Sequence, residues 1–149
     1  GYNYRITDIQ CALGNSQLKR LDSFNLKRRK IAKIYNLSFK DCDVLKIPKV
    51  SSIVYHSYHL YPLLVDFSKI NIDKVKLFNK MLKNNISLQV HYIPIHTQPY
   101  YSRKYDYSQS DFSCAEKFYN QEISLPIYPT LSEKDLEKTI FKIKKLINE

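Results

Sequence analysis

The 149-residue chain is poor in glycine and cysteine and has no tryptophan, and these shortages exclude several kinds of site. Its two glycines, Gly1 and Gly14, cannot form the glycine-rich loop that cradles phosphate groups in many nucleotide-binding folds. The three cysteines are scattered and form no CxxC pair, which argues against a structural zinc site or a disulfide framework and fits a reducing cytoplasm. GxSxG and HExxH motifs are also missing. No apolar run has the length of a membrane span, and the first residues lack signal-peptide character, so we expect no membrane association.

Positive charge and tyrosine are abundant instead. The chain has 24 lysines and arginines against 14 acidic residues, and a formal net charge of +10 favours anionic partners such as nucleic acid or a phosphorylated metabolite. Many basic residues fall on predicted helices, for example at 27–30, where we expect solvated helix faces. The thirteen tyrosines concentrate at 55–61 and 92–107, which is typical of the lining of a site or an interface.

Hydrophobic periodicity predicts one domain in which helices alternate with short strands. A capping box at Thr7 and Gln10 starts a helix pair over 7–39, with Ile9, Leu13 and Leu21 as the apolar stripe of its first helix. The last helix is capped by Ser132 and has the clearest stripe of all. Its members are Leu136, Ile140, Ile143 and Ile147.

The middle of the chain predicts a small sheet. Strands are expected at 58–65, 86–92 and 123–125, after a surface connection at 41–56 that has room for one short strand. Pro62 removes a hydrogen-bond donor and so favours an edge position or a bulge for its strand. Helices are expected from Asn71 or Asp73 to Lys83, with Val75, Phe78 and Leu82 as the apolar face, and at 111–121. A tyrosine-rich loop is expected from Pro94 to about residue 109. Together, these helices and strands predict that the chain folds as an α/β sandwich.

Histidines are the candidate site residues that the pattern alone suggests. His56 and His59 would lie on opposite faces of a strand, which disfavours a shared metal ion. His91 and His96 are separated by Pro94, so the chain turns between them and both could meet a phosphate or, alternatively, form a polar lid on the core. These residues alone indicate a basic α/β domain that binds an anion at the 91–105 edge.

Four segments resemble, in order, motifs of the DegT/DnrJ/EryC1/StrS aminotransferases. They are GYNYR with TDIQ and ALG at 1–14, SYHLY at 57–61, QVHYIPIH at 89–96 and SLPIYP at 124–129. Tyr58 stands where the family usually has tryptophan, and Cys11 where it has alanine. QVHYIPIH together with HLYP is most similar to the branch that aminates UDP-linked 4-keto-6-deoxy sugars in pseudaminic acid synthesis.

The resemblance implies the small C-terminal domain of the aspartate-aminotransferase fold, that of the type I pyridoxal-phosphate enzymes. Residues 1–40 would be a helical interdomain and dimer segment, and 41–149 a small α/β domain with a mainly antiparallel sheet. It also implies pyridoxal 5'-phosphate as cofactor, glutamate as amino donor, a nucleotide-linked keto sugar as acceptor, and a homodimer that shares its active sites. The family's Schiff-base lysine lies upstream of GYNYR, so we expect the lysine domain to be absent here and the isolated chain to be inactive.

The resemblance assigns roles to individual residues as well. Asn3 resembles the amide that binds the cofactor phosphate in the partner subunit, and Arg5 the guanidinium that meets the nucleotide diphosphate, a task that suits its planar fork of donors. His91 and Tyr92 resemble the pair that contacts the sugar nucleotide. Two further substrate-binding candidates are His59 and His96.

Strand geometry conflicts with a joint role for His91 and Tyr92. On a regular strand their side chains would point to opposite faces, so we expect the strand to end near Val90, before Pro94. The alternative is that Tyr92 belongs to the core and continues the stripe of Ile86, Leu88 and Val90.

Two other functions remain open at the level of sequence. A small basic nucleic-acid-binding module would use the positive charge together with stacking tyrosines, although here the tyrosines gather near prolines and histidines rather than beside the basic residues. A non-catalytic member of the same family would share every motif described above.

Overall fold

The computed structural model describes the backbone of residues 1–149 and every side chain except that of Gln109. Helices and a small sheet alternate along the chain. The helices are α1 (Asp8–Leu18), α2 (Leu21–Phe39), α3 (Lys74–Lys83), α4 (Pro99–Lys104), α5 (Ser113–Gln121) and α6 (Glu133–Ile147), and the strands are β1 (Leu45–Lys46), β2 (Pro62–Val65) and β3 (Glu122–Ser124). Three single turns of 3-10 helix add Phe67–Lys69, Ile95–Thr97 and Gln109–Phe112.

The sheet is antiparallel throughout, with the order β1-β2-β3. Leu45 pairs with Val65, and Leu63 pairs with Ile123. This confirms the predicted α/β fold with a small antiparallel sheet. Of the two alternatives for Pro62, the edge position is wrong, because β2 is the central strand and Pro62 is its first residue, a position that proline tolerates.

The core lies between the sheet and the helices α2, α3 and α6. Tyr35 from α2 and Tyr61 are fully buried, and each hydroxyl has a partner: Tyr35 donates to the carbonyl of Pro126 at 2.8 Å and Tyr61 to Asn36 Oδ1 at 2.7 Å. Burial raises the pKa of both phenols far above the ordinary value, so both remain donors at neutral pH. The predicted stripe of α6 is confirmed, with Ile140 partly buried and the other three members buried.

The buried face of α3 differs from the predicted one. Leu77 and Met81 are fully buried, whereas Val75 and Leu82 of the predicted face are 69% and 63% exposed and only its third member, Phe78, packs against the core. Two apolar stripes lie on neighbouring faces of this helix, and periodicity alone cannot choose between them. The contact of α3 with α6 in the folded chain makes the choice.

Two other expectations need correction in the 86–109 region. Instead of a strand over 86–92 there is a single bridge, from Gln89 to Ser124, although Ile86 and Leu88 are buried as the alternation predicted. The segment touches β3 at one point and then leaves the sheet. The tyrosine-rich segment is not a plain loop, because Pro99 starts helix α4, a position at which its missing amide hydrogen costs nothing.

The predicted helix pair at the start of the chain is confirmed, together with its capping box. The Thr7 amide donates to Gln10 Oε1 at 2.9 Å, and the Gln10 amide donates to Thr7 Oγ1 at 3.4 Å. However, α1 contains no buried residue, and Ile9 and Leu13 of its predicted stripe are 82% and 61% exposed. The first helix therefore forms locally and leaves its apolar side chains uncovered. None of the helices that the structure describes is long and apolar enough to cross a membrane.

Candidate functional site

A cavity of about 610 Å³ opens beside the end of β3. The 85–92 segment forms one wall, the chain after β3 another, and α6 a third. Its polar lining combines aromatic and titratable side chains. Those that matter for the argument are His59, His91, Tyr92, Ser124, Tyr128 and Lys138.

The buried carboxylate of Glu122 positions His91. Its Nδ1 lies 2.8 Å from Ser124 Oγ, and the Ser124 hydroxyl donates to Glu122 Oε1 at 2.5 Å. The second oxygen of Glu122 accepts a hydrogen bond from the His91 backbone amide at 3.1 Å. Glu122 is fully buried and Ser124 nearly so, with 4% exposed. One carboxylate therefore fixes both the backbone and, through Ser124, the ring of His91.

Lys74 provides a positive charge for this buried carboxylate. Its ammonium donates to the carbonyl of Tyr119 and lies 4.7 Å from the centre of the Tyr119 ring. Burial lowers the pKa of the Lys74 ammonium, and attraction to Glu122 opposes that shift. Glu122 itself accepts two hydrogen bonds, one on each oxygen, and such bonds are what a buried carboxylate requires.

Tyr92 lies at the mouth of the cavity with 72% of its surface exposed. Its ring meets the ring of His91 edge-on, with the two centroids 4.7 Å apart. The core alternative for Tyr92 is therefore wrong. The strand that was expected to end near Val90 is absent, and the side chains of His91 and Tyr92 line the same cavity, so the conflict of strand geometry does not arise.

His59 lines the same cavity and also a second one of about 470 Å³, which His56 lines too. The Nδ1 of His56 accepts a hydrogen bond from the Tyr58 amide at 3.1 Å. The segment that carries them is not a strand, so the expected opposition of the two rings does not apply. Among the side chains that the structure describes, no group of three or more His, Cys, Asp or Glu residues is placed to hold a metal ion.

His96 does not line the cavity that His91 lines. Its Nε2 lies 2.6 Å from Glu116 Oε1, its ring stacks on Phe112 at 4.4 Å, and only 8% of its side chain is exposed. These contacts tie the 3-10 turn after Pro94 to α5 and its preceding turn. A direct contact of His96 with substrate stays a prediction.

Asn3 and Arg5 precede α1 on a fully exposed segment, in which Tyr2 and Tyr4 stack on each other at 5.4 Å. In the described part of the chain, neither side chain has a hydrogen-bond partner or lines a cavity. Their amide and guanidinium donors are therefore available to a ligand or another chain. The structure does not bring them to the cavity of His91.

Sequence reasoning missed Glu122, Ser124 and Lys138. A signal for Glu122 existed, because an acidic residue directly before an apolar strand that is expected in the core needs a specific partner. Ser124 belongs to the SLPIYP motif, but nothing in its spacing pointed to His91, which lies 33 residues earlier. Lys138 stands beside the apolar stripe of α6 and resembles an ordinary surface lysine until the cavity is seen.

Comparison with known proteins decides the family. A family model for the DegT/DnrJ/EryC1/StrS aminotransferases matches residues 1–144. The chain belongs to this family. Aminotransferases of the family use pyridoxal phosphate, and solved structures similar to this chain include a sugar aminotransferase in its pyridoxal-phosphate form.

Three similar proteins show how far the likeness extends. Uncharacterized protein MJ1066 of Methanocaldococcus jannaschii is 40% identical over 149 residues, which is all of this chain and 39% of that protein. The UDP-4-amino-4,6-dideoxy-N-acetyl-beta-L-altrosamine transaminase of Campylobacter jejuni serotype O:2 is 35% identical over 96% of this chain and 38% of its own. Helicobacter pylori PseC, an aminotransferase involved in pseudaminic acid biosynthesis, superimposes with a TM-score of 0.88 at 31% identity, over 99% of this chain and 39% of PseC.

The chain thus spans about two fifths of the length of these relatives. Asn3 is the one residue that the motifs assign to the cofactor phosphate, and it lies on an exposed segment away from the cavity. Lys138, on α6, is the one lysine among the residues that line the first cavity.

Proposed function

We propose that this chain is the substrate-facing C-terminal domain of a pyridoxal-phosphate-dependent enzyme that moves an amino group from glutamate to a nucleotide-linked keto sugar. One observation carries the proposal. His59, His91 and Tyr92 come from two motifs that are about thirty residues apart in the sequence, and all three line one cavity. The cavity is large enough for a substantial part of a sugar nucleotide, since small-molecule sites typically measure a few hundred Å³.

The cavity suits a polar, anionic ligand. Imidazole and phenol groups can bind sugar or ribose hydroxyls, and Lys138 adds a positive charge on the α6 side. We assign His91 and Tyr92 to the sugar nucleotide, with His59 as a further contact. The net charge of +10 favours the approach of a diphosphate from solution.

The exposed start of the chain supports an active site that is shared between subunits of a homodimer. Asn3 and Arg5 have donors without partners in the described structure, and the adjoining helix α1 leaves apolar side chains uncovered. We assign Asn3 to the cofactor phosphate and Arg5 to the nucleotide diphosphate, both across the subunit interface. The imine-forming lysine is assigned to the part of the enzyme that this chain does not span, so the chain alone is proposed to be inactive.

The relatives narrow the proposed substrate. The Campylobacter protein is named for a UDP-linked 4-amino-4,6-dideoxy sugar, and PseC takes part in pseudaminic acid biosynthesis. We therefore propose a UDP-linked 4-keto-6-deoxy sugar as the amino acceptor, for a cell-surface or flagellar glycan. The three unpaired cysteines fit a cytoplasmic location for such an enzyme.

Steady-state kinetics of the complete enzyme, with sugar nucleotide and glutamate varied separately, test the proposal. His91→Ala should raise the KM for the sugar nucleotide by roughly tenfold, the effect of about 1.4 kcal/mol, because a contact to the bound substrate is lost. The KM for glutamate should stay within twofold of the wild-type value, since His91 is assigned no contact with the donor.

His56→Ala is the matched control, because His56 has its own local hydrogen bond and lies outside the first cavity. It should leave both constants unchanged. A His91→Ala variant with an altered constant for glutamate alone, or with no alteration at all, would refute the assignment of the cavity to the sugar nucleotide.

A further inference from the structure

The buried Glu122 fixes where His91 carries its proton. A serine hydroxyl has a single proton, and Ser124 donates it to Glu122 Oε1, 2.5 Å away, when Glu122 is a carboxylate. At the 2.8 Å contact with His91 Nδ1, Ser124 Oγ must therefore accept, and the ring nitrogen must donate. The direction of this chain of hydrogen bonds depends on Glu122 being a carboxylate. The two oxygens of that carboxylate accept from the Ser124 hydroxyl and from the His91 backbone amide.

The other ring nitrogen faces a different environment. Within the described structure, no side-chain or backbone group forms a hydrogen bond with His91 Nε2, although the residue lines the cavity. When Nδ1 holds the proton of a neutral imidazole, Nε2 is an acceptor. An acceptor binds a hydroxyl or an N–H group and repels a deprotonated phosphate oxygen, which has no proton to offer.

We propose that Glu122 and Ser124 are positioning residues that hold the proton of His91 on Nδ1, so that Nε2 accepts a hydrogen bond from a hydroxyl group of the bound sugar nucleotide. The identity of the ligand rests on the proposed function, whereas the position of the proton does not. The diphosphate is then bound by other donors, such as Arg5, and His91 selects for a hydroxyl at one place on the sugar or ribose.

Nitrogen NMR of the full chain labelled with 15N-histidine tests the position of the proton directly. The chain has only four histidines, so single His→Gln variants at positions 56, 59 and 96 assign the signals. The spectrum should be recorded about two units above the ordinary histidine pKa of ~6.5, where an unperturbed ring is neutral. His91 should then show a protonated Nδ1 and an unprotonated Nε2. A ring protonated on Nε2, or one that is still doubly protonated, would overturn the proposal.

Two variants test whether the hydroxyl of Ser124 is needed. Ser124→Ala removes the hydroxyl, whereas Ser124→Thr keeps it and adds a methyl group. In the chain, Ser124→Ala should remove the preference for the Nδ1 proton, and Ser124→Thr should retain it. In the complete enzyme, Ser124→Ala should raise the KM for the sugar nucleotide by about two- to tenfold with little change in kcat, and threonine should restore it. A threonine variant as impaired as the alanine variant would contradict a role for the hydroxyl. If both variants fail to fold, the wild-type spectrum still decides.

The two proposals fail in different ways. If His91→Ala leaves the KM for the sugar nucleotide unchanged while the spectrum shows the Nδ1 proton, the ligand is wrong and the positioning by Glu122 and Ser124 stands. If His91→Ala raises that KM but the proton is on Nε2, the cavity binds the sugar nucleotide and the positioning role is wrong.

Discussion

At the scale of single residues, Asn3 and Arg5 differ from the other candidates because the structure leaves them on an exposed segment without partners. Their proposed ligands lie in a second subunit, so their contributions should be visible only in the complete enzyme. The two side chains are also proposed to hold different molecules, one the cofactor and the other the substrate. Kinetics can therefore tell them apart.

Arg5→Ala should raise the KM for the sugar nucleotide roughly ten- to a hundredfold. Loss of a charge-assisted hydrogen bond to a diphosphate costs about 1.5–3 kcal/mol, and a contact that is equally strong in ground and transition states affects mainly KM. Asn3→Ala should instead lower cofactor occupancy, and added pyridoxal phosphate should restore part of the activity. Arg103→Ala, at an exposed arginine of α4, is the control. An Arg5 variant that affects glutamate alone would show that Arg5 does not meet the sugar nucleotide.

The sequence could indicate His59, His91 and Tyr92 because their motifs resemble those of a known family, and the structure brings these three to one cavity. It could not indicate Glu122 and Ser124. Their contacts with His91 span 31 and 33 residues, and they arise only when β3 lies beside the 86–91 segment. Periodicity reports which face of an element is apolar, but it carries no information about which polar groups meet across the fold.

At the scale of elements, the well-predicted features are the local ones. The capping box of α1 and the Ser132 cap of α6 depend on hydrogen bonds between residues three apart. The buried face of α3 was predicted wrongly, because the choice between two neighbouring apolar stripes is made by α6, about sixty residues later. Local hydrogen bonds determine where these helices start, whereas tertiary contacts determine which face of each helix is buried.

Removing each of the two helix caps tests whether α1 and α6 pack against the folded domain. Ser132→Ala should lower the free energy of unfolding of the chain by about 1 kcal/mol, because Ser132 Oγ accepts from the Asp135 amide at 3.1 Å and α6 is part of the core. Thr7→Ala removes the equivalent acceptor from α1, which has no buried residue, so global stability should change by less than about 0.5 kcal/mol. Urea denaturation measures both. Equal losses in the two variants would mean that α1 packs against the folded domain.

At the scale of the whole molecule, the chain combines a packed domain with an unpacked first helix. The domain has a continuous core from α2 to α6 and a cavity at the end of β3. The first helix and α2 expose the apolar side chains of Ile9, Leu13, Leu26 and Leu37, each of them more than half accessible. This division matches the proposed organisation, in which residues 1–40 serve contacts between domains and subunits and 41–149 serve the substrate.

The most direct test of the central claim is a crystal structure of the complete enzyme with a bound UDP-sugar. We predict that the sugar nucleotide occupies the cavity between the 85–92 segment, the chain after β3 and α6. A ligand hydroxyl should lie within hydrogen-bonding distance of His91 Nε2, about 2.7–3.2 Å, with Tyr92 beside it. A UDP-sugar that is fully bound elsewhere, with His59, His91 and Tyr92 free of contact, would contradict the claim that this cavity is the substrate site.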